Sequence, residues 1–291
     1  MRCASNWPAG SSRAMPELPE VESLRRILVR TAVGRTIVSV RIREKRLRRR
    51  VTADFGGAIT GRRIVNLSRR AKYLIVELDG DHVMLVHLGM SGSLTHRHDG
   101  FDADDFDPRH DHLEFSLDDG SRLVYNDPRR FGMVRLVERA ALASTAELKG
   151  LGPEPLSREF NADYLAAKAR GRIGAIKNLI MDQRIVAGIG NIYASEILFR
   201  AGVRPTRRAG RVTRGEIEKI AAAVPVILRA AIGSNGTTFR SYRDSRGQPG
   251  RFAARLRVYG REGKPCYTCS TPIKNVVVGQ RASFYCPKCQ R

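Results

Sequence analysis

Four cysteines near the carboxyl end constrain this chain more than any other feature of its sequence. Cys266 and Cys269 form one CxxC pair, Cys286 and Cys289 form a second, and 16 residues separate the pairs. Two such pairs place four thiolates around one tetrahedral Zn²⁺ and leave no open position for a catalytic water. We therefore predict a zinc ribbon with one structural zinc ion. Two disulfides are the alternative, and they suit a cytosolic chain poorly.

The charge of the chain indicates a polyanionic partner. Its 291 residues include 52 Lys and Arg against 29 Asp and Glu, which gives a net charge of +23. Such a field attracts nucleic acid, with an anionic membrane surface or plain solvated charge as weaker interpretations. No apolar run approaches the roughly 20 residues that span a bilayer, and no export signal is visible. We expect a cytoplasmic, nucleoid-associated monomer.

Hydrophobic spacing divides the chain into a β-rich part and a helical part. One-sided apolar spacing predicts a first helix over Glu20–Arg30. Six β-type runs with Asp-Gly turns between two pairs then indicate an antiparallel sandwich: Thr36–Val40, Tyr73–Leu78, His82–Leu88, His112–Leu117, Leu123–Tyr125 and Met133–Val137. Helical spacing covers Asn161–Ala169, Ile173–Met181, Ile192–Ala201 and Arg214–Ala231.

These changes predict an α+β multidomain chain. Its expected segments are a leader at 1–14, a sandwich domain at 16–145, a linker at 146–156, a helical domain at 157–235, a loop at 236–257 and a zinc finger at 258–291. The leader contains Cys3 and lacks the apolar core of a signal peptide, so we interpret it as a misplaced start or a removable segment. The aspartate-rich stretch at 99–107 is expected to be a solvated loop.

The short proline-rich stretch at residues 15–22 can take part in catalysis only if Pro16 is the first residue of the active protein. A terminal amine titrates near pH 8, so part of it is neutral and nucleophilic at physiological pH. Here it would stand beside the Glu17 carboxylate. Inside a longer chain the same nitrogen is an unreactive amide, and the stretch is only a helix start.

Seven motifs, in order, resemble those of the bacterial formamidopyrimidine-DNA glycosylases, also called 8-oxoguanine DNA glycosylase/AP lyases. They lie at residues 16–22, 68–73, 87–92, 125–132, 151–155, 188–193 and 280–286. The resemblance implies an N-terminal helix with a β-sandwich, then a helix–two-turns–helix domain with the zinc ribbon. It also implies a bifunctional enzyme that removes oxidised purines from duplex DNA and nicks the strand by β,δ-elimination.

The resemblance assigns roles to individual residues. It makes Pro16 the Schiff-base nucleophile, Glu17 a proton donor, and Lys72 and Arg281 phosphate contacts and proton donors for β- and δ-elimination. Its DNA-binding set is Met90, His110, Arg129, Arg130, Phe131, Asn191 and Arg240. Of these, Met90, Arg129 and Phe131 match residues that fill the space left by a flipped base. Arg240 stands where many relatives carry lysine, which puts its contact in doubt.

Three other interpretations stay open on the sequence. An endonuclease VIII-type enzyme shares the fold and the terminal proline but removes oxidised pyrimidines. A lesion-DNA-binding protein without catalysis results if residues 1–14 keep Pro16 blocked. An RNA-binding zinc ribbon would leave Pro16 and the turn before Asn191 without a role. The sequence LPEVE at residues 18–22 and the complete set of Met90, Arg129 and Phe131 favour the purine-lesion enzyme.

Overall fold

The computed structural model describes residues 15–101, 106–237 and 250–291, and these residues have the predicted α+β architecture. The helices are α1 (Leu18–Thr31), α2 (Phe55–Ile59), α3 (Ala162–Ala169), α4 (Ile176–Met181), α5 (Asn191–Ala201) and α6 (Arg214–Gly233). The strands are β1 (Ile37–Ile42), β2 (Ile64–Arg70), β3 (Tyr73–Leu78), β4 (His82–His87), β5 (Ser93–Arg97), β6 (Asp111–Leu117), β7 (Arg122–Asn126), β8 (Met133–Glu138), β9 (Lys274–Val278) and β10 (Arg281–Tyr285).

Strands β1 to β8 form the expected antiparallel sandwich. One sheet has the order β1-β6-β7-β5 and the other the order β2-β3-β4-β8. Their inner faces share one apolar core with α1, which contributes Val21, Leu24 and Leu28. The one-sided spacing of these residues is therefore what binds α1 to the sandwich, and it brings the start of α1 to the edge of the domain.

Two strands of the sandwich were not predicted from the sequence, and both lie at sheet edges. Strand β2 reads IVNLSRR and strand β5 reads SLTHR. Each pairs on one side only, β2 with β3 and β5 with β7. Polar residues are tolerated along an edge strand because one of its sides meets solvent or loops. The alternation that marks an inner strand is therefore weak in both.

The helical part packs around its own core, in which α5 and α6 are the main partners. Helix α6 begins with a capping box between Thr213 and Glu216. The predicted start of α4 at Ile173 is wrong by three residues, because the helix begins at Ile176. Ile173 itself is 77% exposed, so its apolar side chain does not belong to the helix's buried face.

The C-terminal β9–β10 ribbon docks on the end of α5. The main chain of Arg291 pairs with that of Gly202 and Arg204, and the Gln290 side-chain amide donates to the Val203 carbonyl at 2.9 Å. These backbone and side-chain hydrogen bonds hold the ribbon against the helical part.

Among the described residues, no helix is both long enough and apolar enough to cross a membrane.

Candidate active site

Pro16 lies just ahead of α1, not within it. Glu17 is the N-cap of the helix, and the proline of the first helical turn is Pro19. Pro16 is nevertheless buried. The helix start therefore does not require Pro16, and its position has to be explained by its surroundings.

The Glu17 carboxylate sits on the first turn of a distant helix. Its Oε2 accepts the backbone N–H of Gly190 at 2.7 Å, and its Oε1 accepts that of Ile192 at 2.9 Å. Unpaired N–H groups and the helix dipole make the start of α5 a favourable place for an anion. In this structure the N–H groups of Gly190 and Ile192 are therefore already occupied by Glu17.

Glu20 ties three parts of the site together. Its Oε2 accepts the Glu17 backbone N–H at 2.9 Å, and its Oε1 accepts the Thr237 N–H at 2.7 Å. The hydroxyl of Tyr193, on α5, also donates to Oε1. Glu20 thus links the residue that follows Pro16, helix α5 and Thr237.

Burial shifts the pKa values of three charged groups in this region, Glu17, Glu20 and Lys72. It raises the pKa of the Glu17 carboxyl, and the Lys72 ammonium offsets this only in part. Burial, together with the Glu17 charge, raises the pKa of Glu20 to about 7. Burial also lowers the pKa of Lys72, against the pull of both glutamates. All three pKa values therefore move toward neutral pH, as is common for groups that exchange protons during catalysis.

A cavity of about 370 Å³ brings five of the predicted site residues together. Its wall includes Glu17, Lys72, Met90, Asn191 and Arg281. They come from the start of α1, the β2–β3 turn, the loop after β4, the start of α5 and the zinc ribbon. Met15 lines the cavity as well, so residues on both sides of Pro16 border the same space.

The loops that carry Met90 and Phe131 interlock through glycines. A Cβ at Gly89, which has a φ of +63°, would lie 2.5 Å from the Gly132 nitrogen. A Cβ at Gly132 would lie 1.7 Å from the Tyr125 hydroxyl. Only a residue without a side chain fits at these two positions. The two loops therefore form one rigid unit at the mouth of the site.

Two buried polar residues fix this pair of loops. The carboxylate of Asp127 accepts the Gly132 N–H at 2.8 Å and the Ser91 hydroxyl at 2.6 Å. His87 Nδ1 accepts the Gly89 N–H at 2.9 Å. Burial, and then the charges of Lys72 and Arg48, lower the pKa of His87 to about 3. Its ring is therefore neutral and able to accept at physiological pH.

The residues predicted to fill a vacated base position are accessible. Phe131 is 47% exposed, and the Arg129 guanidinium lies 4.6 Å from the centre of its ring. Arg129 is exposed and Met90 is half-buried. Phe131 and Arg129 are therefore accessible to a partner, as the predicted role of filling a vacated base position requires.

The remaining members of the predicted DNA-binding set lie outside the cavity wall or outside the described residues. Arg130 pairs with Glu44 at 3.1 Å, and His110 lies 3.8 Å from Asp107. Arg240 falls within residues 238–249, outside those that the structure describes, as does most of the loop predicted to close over the base. Thr237 and Arg251, which flank residues 238–249, form an isolated antiparallel bridge.

A fully buried lysine, absent from the predicted set, connects Asn191 to the zinc ribbon. The Lys177 ammonium donates to Asn191 Oδ1 at 2.5 Å, to the Ala282 carbonyl at 3.1 Å and to Ser283 Oγ at 2.6 Å. Asn191 itself donates to the Ala282 carbonyl at 3.0 Å. Burial lowers the pKa of Lys177 to about 8. No spacing in the sequence marks it, because its ribbon partners are more than 100 residues away.

The four cysteines fit a zinc ion. Their sulfur atoms all lie within 4.8 Å of one another, with Cys269 Sγ 3.4 Å from both Cys286 Sγ and Cys289 Sγ. A tetrahedral site with Zn–S bonds of about 2.3 Å has sulfur–sulfur edges of about 3.8 Å, whereas a disulfide needs about 2.05 Å. The cluster thus confirms a four-thiolate zinc site and excludes the disulfide alternative for these four residues.

Sequence profiles of one family match most of the chain. The formamidopyrimidine-DNA glycosylase N-terminal domain matches residues 15–134, and the H2TH domain of the same enzyme matches residues 151–243. The zinc finger found in FPG and IleRS matches residues 263–291. The chain belongs to the formamidopyrimidine-DNA glycosylase family. It is accordingly a DNA glycosylase with AP lyase activity.

Individual members of the family agree in length and fold. The formamidopyrimidine-DNA glycosylase of Syntrophotalea carbinolica is 47% identical over 277 residues, which are 95% of this chain and 100% of that protein. The Lactococcus lactis Fpg bound to DNA with an abasic site has a TM-score of 0.86 at 32% identity, over 94% of this chain and 99% of that one. A mutant of it bound to Fapy-dG DNA has a TM-score of 0.86 at 32% identity, over 95% and 100%.

Proposed function

We propose that this protein excises oxidised purines, 8-oxoguanine and formamidopyrimidines, from duplex DNA by means of a Pro16 terminal amine, and then cuts the DNA strand on both sides of the sugar. The observation that carries the proposal is the cavity next to Pro16, which is bordered by Met15, Glu17, Lys72, Asn191 and Arg281. A damaged nucleotide turned out of the helix would place its sugar there. The relatives crystallised with abasic and Fapy-dG DNA support such a substrate.

Excision requires that Pro16 be the first residue of the active protein. Its neutral amine then attacks C1′ of the nucleotide, the bond between C1′ and the base breaks, and the departing base takes up the proton that the amine nitrogen loses. We assign to the Glu17 carboxyl, whose pKa burial raises, the transfer of a proton to the ring oxygen as the sugar opens. The product is a positively charged iminium between Pro16 and C1′.

Strand cutting follows from the iminium, which withdraws electrons from C2′. Loss of a proton from C2′ breaks the bond from C3′ to its phosphate, and a second elimination breaks the bond from C5′ to the other phosphate. Lys72 and Arg281 line the same cavity. We assign to them the contacts with the two phosphates and the protons for the β and δ steps.

The DNA is held by groups around the cavity mouth. Met90, Arg129 and Phe131 occupy the space of the extruded base, since an empty gap in the base stack costs a few kcal/mol. Asn191 and Arg281 bind phosphate from the start of α5 and from the ribbon. When bound, the zinc ion supplies no chemistry, because four thiolates fill its coordination shell.

The experiment compares duplexes that contain 8-oxoguanine, a formamidopyrimidine or an oxidised pyrimidine, under single-turnover conditions with protein that begins at Pro16. We expect the two purine lesions to be excised at least tenfold faster than the pyrimidine lesion, with phosphate left on both sides of the gap. A faster reaction with the pyrimidine lesion would support the endonuclease VIII-type alternative instead. Glu17→Gln protein, with the proton donor removed, is the matched control.

A further inference from the structure

The turn that presents Lys72 has an unusual backbone. Ala71, between β2 and β3, has a φ of 54°, a left-handed conformation that a residue with a side chain rarely adopts unless its surroundings hold it. Lys72 follows directly, is buried and lines the cavity. The contacts that hold Ala71 in this conformation therefore also set the direction of the Lys72 side chain.

A glutamate from the connection between the two domains holds this turn. Glu154 Oε1 accepts the Ala71 N–H at 2.6 Å. The same oxygen accepts Arg70 Nη1 at 3.0 Å, and Oε2 lies 2.8 Å from Arg69 Nη1. Arg69 in turn donates to the Ala71 carbonyl at 2.8 Å. Both polar backbone groups of Ala71 are thus fixed by Glu154 and by a side chain that Glu154 pairs with.

The backbone next to Glu154 also contacts the segment that contains Gln183, another residue that lines the cavity. The Gly152 N–H donates to the Gln183 carbonyl at 2.8 Å, and the Ala187 N–H donates to the Pro153 carbonyl at 3.1 Å. A Cβ at Gly152 would lie 2.6 Å from the backbone of Ile185. Residues 152–154 therefore run against the turn that leads into Gly190.

The turn before Gly190 is itself hydrogen-bonded to the first residue of α1. The Gln183 side chain accepts the Gly188 N–H at 2.7 Å and donates to the Ile189 carbonyl at 2.8 Å. The Gly188 carbonyl accepts the Leu18 N–H at 3.1 Å. An unbroken series of short contacts thus runs from the Lys72 turn through Glu154 to the residues that hold Glu17.

We infer that Glu154 is a positioning residue, which sets Lys72 against the catalytic cavity by accepting the Ala71 N–H from the interdomain connection. The inference builds on the proposed function, because it assigns Lys72 its place in the elimination step. Among the contacts of Glu154, the hydrogen bond from the Ala71 N–H acts on this turn directly, whereas the ion pair with Arg69 acts on it through the Ala71 carbonyl.

Two conservative variants separate the hydrogen bond from the charge. Glu154→Gln keeps an acceptor at the same reach and loses the negative charge. Glu154→Asp keeps the charge and withdraws the acceptor by one methylene. Glu114→Gln is the control, because Glu114 also pairs with two arginines, Arg43 and Arg122, but lies on β6 in the other sheet.

The first readout is amide hydrogen exchange in the full-length protein without DNA, which does not depend on any activity. We expect Glu154→Asp to speed exchange at residues 71–73 at least tenfold, while Glu154→Gln and Glu114→Gln leave it within threefold of wild type. Unchanged exchange in Glu154→Asp would overturn the inference even if the proposed function is correct.

The second readout is strand cleavage at an abasic-site duplex, in single turnover at saturating protein. We expect a loss of at least tenfold for Glu154→Asp and less than threefold for Glu154→Gln, although both variants lower the melting temperature. The reverse order would assign the role to the charge and contradict the inference. If wild type itself does not cleave, the proposed function fails and the exchange result still decides the role of Glu154.

Discussion

The carboxylate of Glu17 accepts the backbone N–H of Gly190 at 2.7 Å, across 173 residues of chain. This contact joins the first residues of the sandwich domain to the first turn of α5, and both line the same cavity. The site is therefore assembled between domains, so that changes in one domain act on the groups of the other.

A methyl group at Gly190 should disrupt the contact. A Cβ there would lie 2.4 Å from Glu17 Cδ, so Gly190→Ala must push Glu17 away. We expect a loss of about 1–3 kcal/mol in the free energy of unfolding and at least a hundredfold slower base excision, measured by denaturation and single-turnover kinetics. Gly174→Ala, where a Cβ meets nothing within 4 Å, should change neither. Wild-type excision by Gly190→Ala would show that Glu17 does not need this position.

Glu20 should make stability depend on pH near neutrality. Its pKa of about 7 in the folded protein exceeds its ordinary value, so the folded state keeps a proton that the unfolded chain releases. The resulting stabilisation is present below about pH 4.5 and is lost as pH rises through 7. Relative to Glu20→Gln, wild type should therefore lose on the order of 3 kcal/mol between pH 4.5 and 7.5.

Urea denaturation across that range measures this difference, and Glu22→Gln is the control. Although burial opposes it, hydrogen bonds from Arg25 and Arg26 bring the pKa of Glu22 to about 2. Glu22 is thus ionised in both folded and unfolded protein above about pH 5.5, and its variant should differ from wild type by a constant amount there. A constant difference for Glu20→Gln as well would contradict the assignment of the pH dependence to Glu20.

Loss of the Lys177 ammonium should loosen the zinc ribbon from α5. Lys177→Met leaves Asn191 Oδ1 and Ser283 Oγ without their buried donor, at a cost of about 1–3 kcal/mol. Because Asn191 and the ribbon residues Ala282 and Ser283, next to Arg281, then lose the donor that they share, we expect at least tenfold weaker binding to an abasic-site duplex, measured by fluorescence anisotropy. The exposed Lys219 provides a matched substitution, Lys219→Met, which should alter binding less than threefold.

Removal of zinc should weaken DNA binding before it affects the sandwich. The cluster around Cys266 and Cys286 packs with Val258 and Ile273, separately from the sandwich core. A chelator should thus abolish most affinity for lesion duplex while hydrogen exchange in β3 and β4 stays protected. Undiminished affinity after metal loss, verified by elemental analysis, would show that the ribbon does not contribute to DNA binding.

The sequence was informative where a pattern is local or a motif is distinctive. Six strands of the sandwich, α1 and the cysteine cluster were predicted because apolar β-type runs, helical spacing and CxxC pairs are each visible within a few residues. Edge strands β2 and β5 were missed because their polar residues hide the alternation. The roles of Lys177 and Glu154 could not be predicted, since each depends on partners about 80 to 106 residues away. The cavity residues were anticipated through the family resemblance, not through spacing.

The chemistry of Pro16 is the central claim, and borohydride trapping tests it most directly. Protein that begins at Pro16, verified by intact mass and N-terminal sequencing, is mixed with 8-oxoguanine duplex and reduced, beside the full 291-residue chain. We expect a covalent adduct that maps to the Pro16 peptide in the first protein, and DNA binding with little or no adduct in the second. Failure of the Pro16-first protein to trap, or an adduct that maps to a lysine such as Lys72, would contradict the account.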